Sequence, residues 1–334
     1  MPSRDANSLY WMSRYIERAE NLSRLVDVAD QSLLDSGMAP EDQFAHFWRP
    51  ILAASAQESL FTHLREADPE LDVAEFFTSA SENRDSIQSC VATARENART
   101  VRDHISDELW RDLNALHLYL SSTRSEVERR ESPQAFYQRI RRSSLLFQGI
   151  ADATIPHREG WNFMRLGRYL ERADKTSRIL DIKNHTPRAP GEKPAISWGT
   201  VLRCCSAQSA HRQEFGSAAS ATSVAQLLVY SREFPRSIRY CIGALDQALH
   251  AITGVAPGQF CNEPERLTGG TLARLNFSSS AEAFDRGLNQ FVDDLQLQFN
   301  AIGQSIFETY VLLPAEIGTP PAIMSTQQQQ QQQQ

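Results

Sequence analysis

Residues 14–28, RYIERAENLSRLVDV, recur as residues 168–182, RYLERADKTSRILDI, with eight identities in fifteen positions. Shorter matches follow in the same order. Trp48 and Leu52 correspond to Trp198 and Leu202, and Ser55-Ala56-Gln57 to Ser206-Ala207-Gln208. Val73-Ala74 then matches Val224-Ala225, and Glu82, Ser86, Ile87 and Cys90 match Glu233, Ser237, Ile238 and Cys241. Ala135-Phe136 near Ala283-Phe284, and Phe147 near Phe299, extend the trend weakly. No single match carries weight. Their shared order and nearly constant spacing are what a tandem duplication leaves behind. The expected organisation is two halves, about 5–155 and 160–311, inside one unit spanning 3–312.

The repeated unit reads as helix. Leu9, Met12, Ile16, Ala19, Leu22, Ser23 and Val26 follow the i, i+3, i+4, i+7 rule and make one apolar stripe. Strand signals are scarce, because no stretch alternates β-branched and polar residues between turn signals. Helix starts are marked by Asp72 with Glu75, Ser223 with Gln226 and Ser279 with Glu282, each spaced as a capping box, and by Ser132-Pro133. The fold class expected is all-α, with roughly ten helices. Trp11, Tyr15 and Leu25 widen the stripe of the first helix beyond one face, so that helix needs neighbours on two sides. Its copy in the other half is the obvious neighbour, which gives a single pseudo-twofold helical bundle. Residues 186–194, TPRAPGEKP, read as a loop, and residues 314–334, ending in eight glutamines, as a disordered tail.

Four charged positions recur between the copies: Arg14/Arg168, Glu17/Glu171, Arg18/Arg172 and Arg24/Arg178. Arg14 and Glu17 are one turn apart and can pair along their own helix. Arg18 falls within the apolar arc between Trp11 and Leu25, where a guanidinium needs a partner, since an unpaired buried charge costs about 3–5 kcal/mol. The symmetric solution pairs Arg18 with Glu171 and Arg172 with Glu17. The alternative is a solvated salt-bridged face, worth about 0–1 kcal/mol per pair. Two further arginine rows invite an anion. Arg95, Arg99 and Arg102 share a helical face, and Arg236 and Arg239 sit one turn apart just after Pro235. The competing reading is interleaved surface charge neutralised by Glu96, Asp103 and Glu233.

Composition narrows the function classes. Lys and Arg total 34 against 41 acids, a net charge of −7, which is the wrong sign for a chain whose partner is a phosphate backbone. No apolar run approaches the 18–20 or so residues of a membrane helix. The N-terminus is charged from the start and does not read as a secretory signal, so a cytoplasmic location is expected. The five cysteines form no C-x-x-C pair and read as buried thiols, with no metal site and no cofactor. Phosphate-binding, nucleophile-elbow and H-E-x-x-H motifs are missing, and no Glu precedes a His by three residues as in di-iron bundles. An arginine-paired glutamate is a poor general acid.

The phrases SLYWMSRYIERAENLSRLVDV and GWNFMRLGRYLERADKTSRILDI resemble the bacterial alpha-E domain family, named for an all-helical domain with a Glu-Arg motif. ARENARTVRDHISDELWRDLN and REFPRSIRYCIGAL resemble that family's later segments. The likeness covers residues 3–312; the region around Arg203-Cys204-Cys205-Ser206 is less typical, and the glutamine tail lies outside it. The family is associated, sometimes by fusion, with a circularly permuted ATP-grasp protein and with a transglutaminase-like cysteine peptidase. The resemblance implies a non-catalytic accessory or substrate-presenting partner of an ATP-grasp-type carboxylate–amine ligase, with ATP bound by that partner. Two other readings stay open: an enzyme centred on Glu17, Arg18, Glu171 and Arg172, acting on a peptide or anionic substrate, and a purely structural scaffold in which that cluster fastens the halves.

Overall fold

The computed structural model describes residues 1–187, 195–278 and 287–312. Most of the expected loop at 186–194, the Ser279–Glu282 capping box, the Ala283-Phe284 match and the tail at 314–334 lie outside them. The described residues are helical, without a strand. In chain order the helices are α1 (Ser3–Ser36), α2 (Pro40–Gln43), α3 (Arg49–Ala54), α4 (Glu58–Ala67), α5 (Val73–Thr78), α6 (Ile87–Thr100), α7 (Asp107–Leu120), α8 (Thr123–Glu131) and α9 (Pro133–Thr154). There follow α10 (Glu159–His185), α11 (Trp198–Cys204), α12 (Gln208–Phe215), α13 (Ala221–Ala225), α14 (Ile238–Thr253), α15 (Glu263–Phe277) and α16 (Leu288–Phe307). More helices form than the roughly ten expected. The surplus are pieces of four to eight residues, too short to show a 3.6-residue period.

Two long helices form the centre. In α1, 22 of 34 residues are buried, and in α10, 18 of 27, so both are enclosed on nearly every side. The stripe from Leu9 to Val26 is wholly buried. These helices pack most extensively on each other; α1 also packs on α6 and α9, and α10 on α14 and α16. The short helix α3 lies on α10, and α11 lies on α1. At the crossing, Gly167 lets the backbones meet. A Cβ there would lie 2.1 Å from the carbonyl oxygen of Tyr10.

Helix starts follow the cap chemistry with two adjustments. Asp72 accepts from the amide of Glu75 at 2.6 Å, as its spacing predicts. Ser223, however, is not a cap. The helix begins one turn earlier, at Ser220, whose hydroxyl accepts from the Ser223 amide while the Ser223 hydroxyl accepts from the Ser220 amide, both at 3.1 Å. A serine thus performs the reciprocal role assigned to Gln226. Pro133 does open α9, but the Ser132 hydroxyl makes no capping bond.

The turn after α3 and the turn after α11 have the same backbone. Ala56 and Ser206 both adopt positive φ, 55° and 51°. The amides of Gln57 and Ala207 reach back to the carbonyls of Leu52 and Leu202, at 2.9 and 2.8 Å. The matched turn is therefore spaced by 150 residues, one fewer than the Ser-Ala-Gln identity suggests.

Candidate functional site

At the α1–α10 crossing two arginines grip two glutamates from opposite helices. Arg172 donates from Nε to Glu17 Oε1 at 2.7 Å and from Nη2 to Glu17 Oε2 at 2.8 Å. Arg18 does the same to Glu171, from Nε to Oε1 at 2.6 Å and from Nη2 to Oε2 at 3.0 Å. Such forked pairing fits a planar guanidinium to a planar carboxylate. Both glutamate side chains are buried, at 1% and 0% exposure. Burial would raise their pKa values, but the facing guanidinium groups outweigh it. Arg172, with Arg236 and Arg168 beyond it, holds Glu17 down at about 2. Arg18, Arg14 and Lys175 hold Glu171 well below the usual carboxylate range.

One in-helix pairing expected from sequence does not form. Arg14 turns away from Glu17 and donates from Nε to Glu171 Oε2 at 2.8 Å, with its guanidinium over the Trp11 ring at 5.0 Å. Arg14 and Arg18 are one turn apart on the same face, so a single carboxylate from α10 serves both. Arg168 lies 3.7 Å from Asp152 and donates to the Tyr169 hydroxyl at 3.2 Å.

The two carboxylates have different surroundings. The Glu17 side is filled by protein. Arg236 enters from the segment before α14 and donates to Glu17 Oε1 at 3.4 Å, Asn21 Oδ1 at 3.3 Å and Glu20 Oε2 at 2.9 Å. Gln148 donates to Glu17 Oε2 at 3.0 Å and accepts from Arg172 at 3.2 Å. Arg24 pairs with Glu20 along α1. Only about 20 Å³ of free space remains against Glu17 and Arg168. Arg236 is therefore an interior partner of Glu17 and Glu20, not half of an open anion row with Arg239. Arg239 instead donates to Asn276 Oδ1 at 2.6 and 2.8 Å.

The row of Arg95, Arg99 and Arg102 is likewise dispersed. Arg95 donates to Asn114 and Glu96, and Arg99 pairs with Glu96 at 2.8 Å. Helix α6 stops at Thr100, so Arg102 leaves the helical face and pairs with Asp107 at 2.7 Å. Local carboxylates neutralise these side chains, and no shared anion cradle is formed.

The Glu171 side, by contrast, opens to a cleft of about 510 Å³ between α1, α10, the turn after α3 and α16. Arg14, Arg18, Lys175 and Arg178 face it, with Asp85 and Asp174. Lys175 Nζ lies 3.2 Å from Asp174 and 3.6 Å from Glu171, and Arg178 Nε donates to both Asp174 oxygens at 3.0–3.1 Å. Asp85, 40% exposed, accepts from Arg18 and from Gln57 Nε2, the latter at 3.2 Å. Trp11, Phe299 and Phe307 supply apolar wall, and Gly303 keeps α16 close to Arg14. Of this cleft, sequence reasoning identified only Arg14, Arg18 and the recurring Arg178. Lys175 had a readable signal: it stands where the similar segment 14–28 has Asn21, a change of charge between two otherwise closely matched stretches.

The cysteines are free, four of them buried and Cys261 exposed. Burial pushes the thiols of Cys90, Cys205 and Cys241 up to about 12. Among the described residues, no three His, Cys, Asp or Glu side chains are grouped to hold a metal. No helix among those residues is long and apolar enough to cross a membrane.

The curated relatives are uncharacterized mycobacterial proteins. The uncharacterized protein Mb2597 of Mycobacterium bovis is 24% identical over 297 residues, covering 83% of this chain and 32% of its own length. The uncharacterized proteins MT2643 and Rv2567, from two strains of Mycobacterium tuberculosis, match with the same identity and coverage. The chain thus spans about a third of the length of the curated relatives it matches. No solved structure matches it significantly. Residues 1–311 match the family model for Alpha-E, described as a predicted alpha-helical domain with a conserved ER motif, and Glu17-Arg18 and Glu171-Arg172 are the ER pairs at the helix crossing. The chain belongs to the Alpha-E family.

Proposed function

We propose that the chain is a non-catalytic binding module that holds a carboxylate-bearing segment in its open cleft for an ATP-grasp-type carboxylate–amine ligase. A transglutaminase-like peptidase is the second partner in this reading. One observation carries it: the 510 Å³ cleft is faced by Arg14, Arg18, Lys175 and Arg178 above a carboxylate that is already fully engaged. Lys175 makes ion pairs at 3.2 and 3.6 Å, and Arg178 Nη2 has no hydrogen-bond partner among the described residues, so both retain donors for a ligand anion. Glu171 is held ionised by three cations and has no proton to give near neutral pH, which favours binding over acid–base chemistry at the cluster.

The module is built from two duplicated halves. Supporting this are the recurring packing, α1 on α6 and α9 and α10 on α14 and α16, and the two matching positive-φ turns. The crossed Glu-Arg pairs then fasten one half to the other. The partner assignment rests on the family resemblance, and it suits a segment that occupies only a third of its curated relatives. A role beside an ATP-using ligase also places the chain in the cytoplasm.

The test is capture of the tagged chain from lysate of its own host, with mass spectrometry of the eluate. An ATP-grasp protein at near-stoichiometric yield is expected. The complex should weaken with Lys175→Glu and Arg178→Glu while their thermal melts remain cooperative. Turnover of a peptide by the purified chain alone, abolished by Glu171→Gln in a folded protein, would instead establish an enzyme.

A further inference from the structure

The cleft adjoins a second cavity. Arg18, Ser55, Gln57, Asp85, Lys175 and Arg178 belong to the walls of both. This second cavity measures about 40 Å³, and beyond the polar ring its wall, here called the pit, is formed by Leu22, Leu25, Phe77, Ile179 and Ile182 with Asn21. Each of those five apolar residues is less than 8% exposed. Space for one water takes about 10–15 Å³ on the same measure, so the pit accepts a few carbon atoms. Apart from the ring, its polar wall residue is Asn21, whose amide is engaged by Glu17 and Arg236, so the apolar wall rewards carbon and disfavours a charged or hydroxylated group, which would lose its hydration unpaired. The ring above it is mixed in sign. Lys175 and Arg178 offer donors, and Asp85 offers a partly exposed carboxylate whose Oδ2 accepts, among the described residues, one bond, at 3.2 Å from Gln57.

We infer that this ring and pit form a subsite for an α-amino acid with a short branched aliphatic side chain. Its carboxylate lies toward Lys175 and Arg178, its ammonium group toward Asp85, and its side chain in the pit. An amino acid of this kind places a cation, an anion and an apolar branch on neighbouring atoms, and the ring and pit offer the three complements together. A simple anion site would not need Asp85, whose charge opposes an anion. A site for an acidic side chain would not be walled by Leu22, Leu25 and Ile179. The inference rests on the proposed ligand-holding role of the cleft and specifies what the cleft takes.

Isothermal titration of the full chain with L-leucine, L-alanine, L-glutamate, 4-methylpentanoate, N-acetyl-L-leucine and L-leucinamide separates the contributions. Leucine should bind at least about ten-fold more tightly than alanine, from the additional buried carbon. Leucine should also surpass glutamate and 4-methylpentanoate. N-acetylleucine surpassing leucine would overturn the assignment of Asp85 to an ammonium group. Leucinamide surpassing leucine would overturn the assignment of Lys175 and Arg178 to a carboxylate. Asp85→Asn lies on a partly exposed side chain and should lower leucine affinity to that of 4-methylpentanoate, with a thermal melt that stays cooperative because Glu171 still holds Arg18. Ile179→Phe, which fills the pit, should remove the preference for leucine over alanine; if it unfolds the chain, Asp85→Asn and the ligand series still decide. Equal affinity for leucine, alanine and glutamate overturns the subsite and leaves the anion-holding cleft intact. Failure of every carboxylate to bind overturns both.

Discussion

Glu17 of α1 and Arg172 of α10 meet through two parallel hydrogen bonds, 2.7 and 2.8 Å long, with almost no solvent on either side chain. Their energetics are asymmetric. The attraction between them roughly offsets the hydration both gave up, but removing one strands the other in the interior. Glu17→Leu and Arg172→Leu should each lower unfolding free energy by about 3–5 kcal/mol. The double variant Glu17→Leu/Arg172→Leu should lose much less than the sum, because Arg236 keeps Glu20 and Asn21. Urea titrations of the four proteins measure this directly. Additive losses would mean that the two side chains do not act as a pair.

The same carboxylates make stability depend on acid. Burial alone would raise the pKa of Glu17, but Arg172 and Arg236 bring it to about 2 from an ordinary 4.5. A group whose pKa is depressed by folding stabilises the folded chain above its unfolded value, and that contribution is lost as pH falls through the folded value. The contribution of Glu17 to unfolding free energy should therefore hold steady as pH falls toward about 5, then drop between about 4.5 and 2. Glu171 acts in the same direction. The decline should be shallower in the Glu17→Leu/Arg172→Leu protein, as followed by denaturant melts at pH 3 and pH 7.

The crossed pairs were legible in the sequence because the similar segments 14–28 and 168–182 each place the same charge in an apolar arc. A buried guanidinium there has few partners other than the carboxylate of the other segment. What completes the network was not legible. Asp85, Gln148 and Arg236 lie 67, 131 and 219 residues from their α1 partners, and nothing in the local pattern of each announces the contact. Arg236 in particular follows Pro235 near a helix start, a position that reads as surface anion binding until the tertiary fold buries it. The large cleft depends on α16 passing close to α1, with Gly303 near Arg14, and no periodicity encodes that approach. The dispersed Arg95, Arg99 and Arg102 show the opposite limit: spacing put them on one face, but the end of α6 at Thr100 and the nearby acids decided their geometry.

Thiol chemistry offers an independent check on burial. Cys90, Cys204, Cys205 and Cys241 are enclosed, and three of these thiols are pushed up to about 12 by that enclosure. Reaction needs the thiolate and access to it. The native chain at pH 8 should give one slow equivalent with a disulfide reagent, from Cys261, whose own thiol is raised by partial burial and by Glu265. Denaturant should release all five. Cys261→Ser should remove the native signal, and rapid labelling of two or more native thiols would contradict the packing around α6, α11 and α14.

The closest approach of the two central helices makes the last prediction the most local. Gly167 faces the carbonyl of Tyr10, and a methyl group there would stand 2.1 Å from that oxygen, with Arg14 Cγ at 3.3 Å. Backbone cannot rotate aside as a side chain can, so α1 and α10 must separate. Separation also lengthens the forked pairs of Glu17 and Glu171 one turn further along α10. Gly167→Ala should therefore cost at least about 3 kcal/mol, the upper end for overpacking, even though alanine favours helix by about 1 kcal/mol over glycine. Gly149→Ala is the control: it also lies within a helix, α9, and a Cβ there meets nothing within 4 Å. That variant should be neutral or stabilise by up to about 1 kcal/mol. Equal melting temperatures for the two variants would show that the helices do not touch at Gly167.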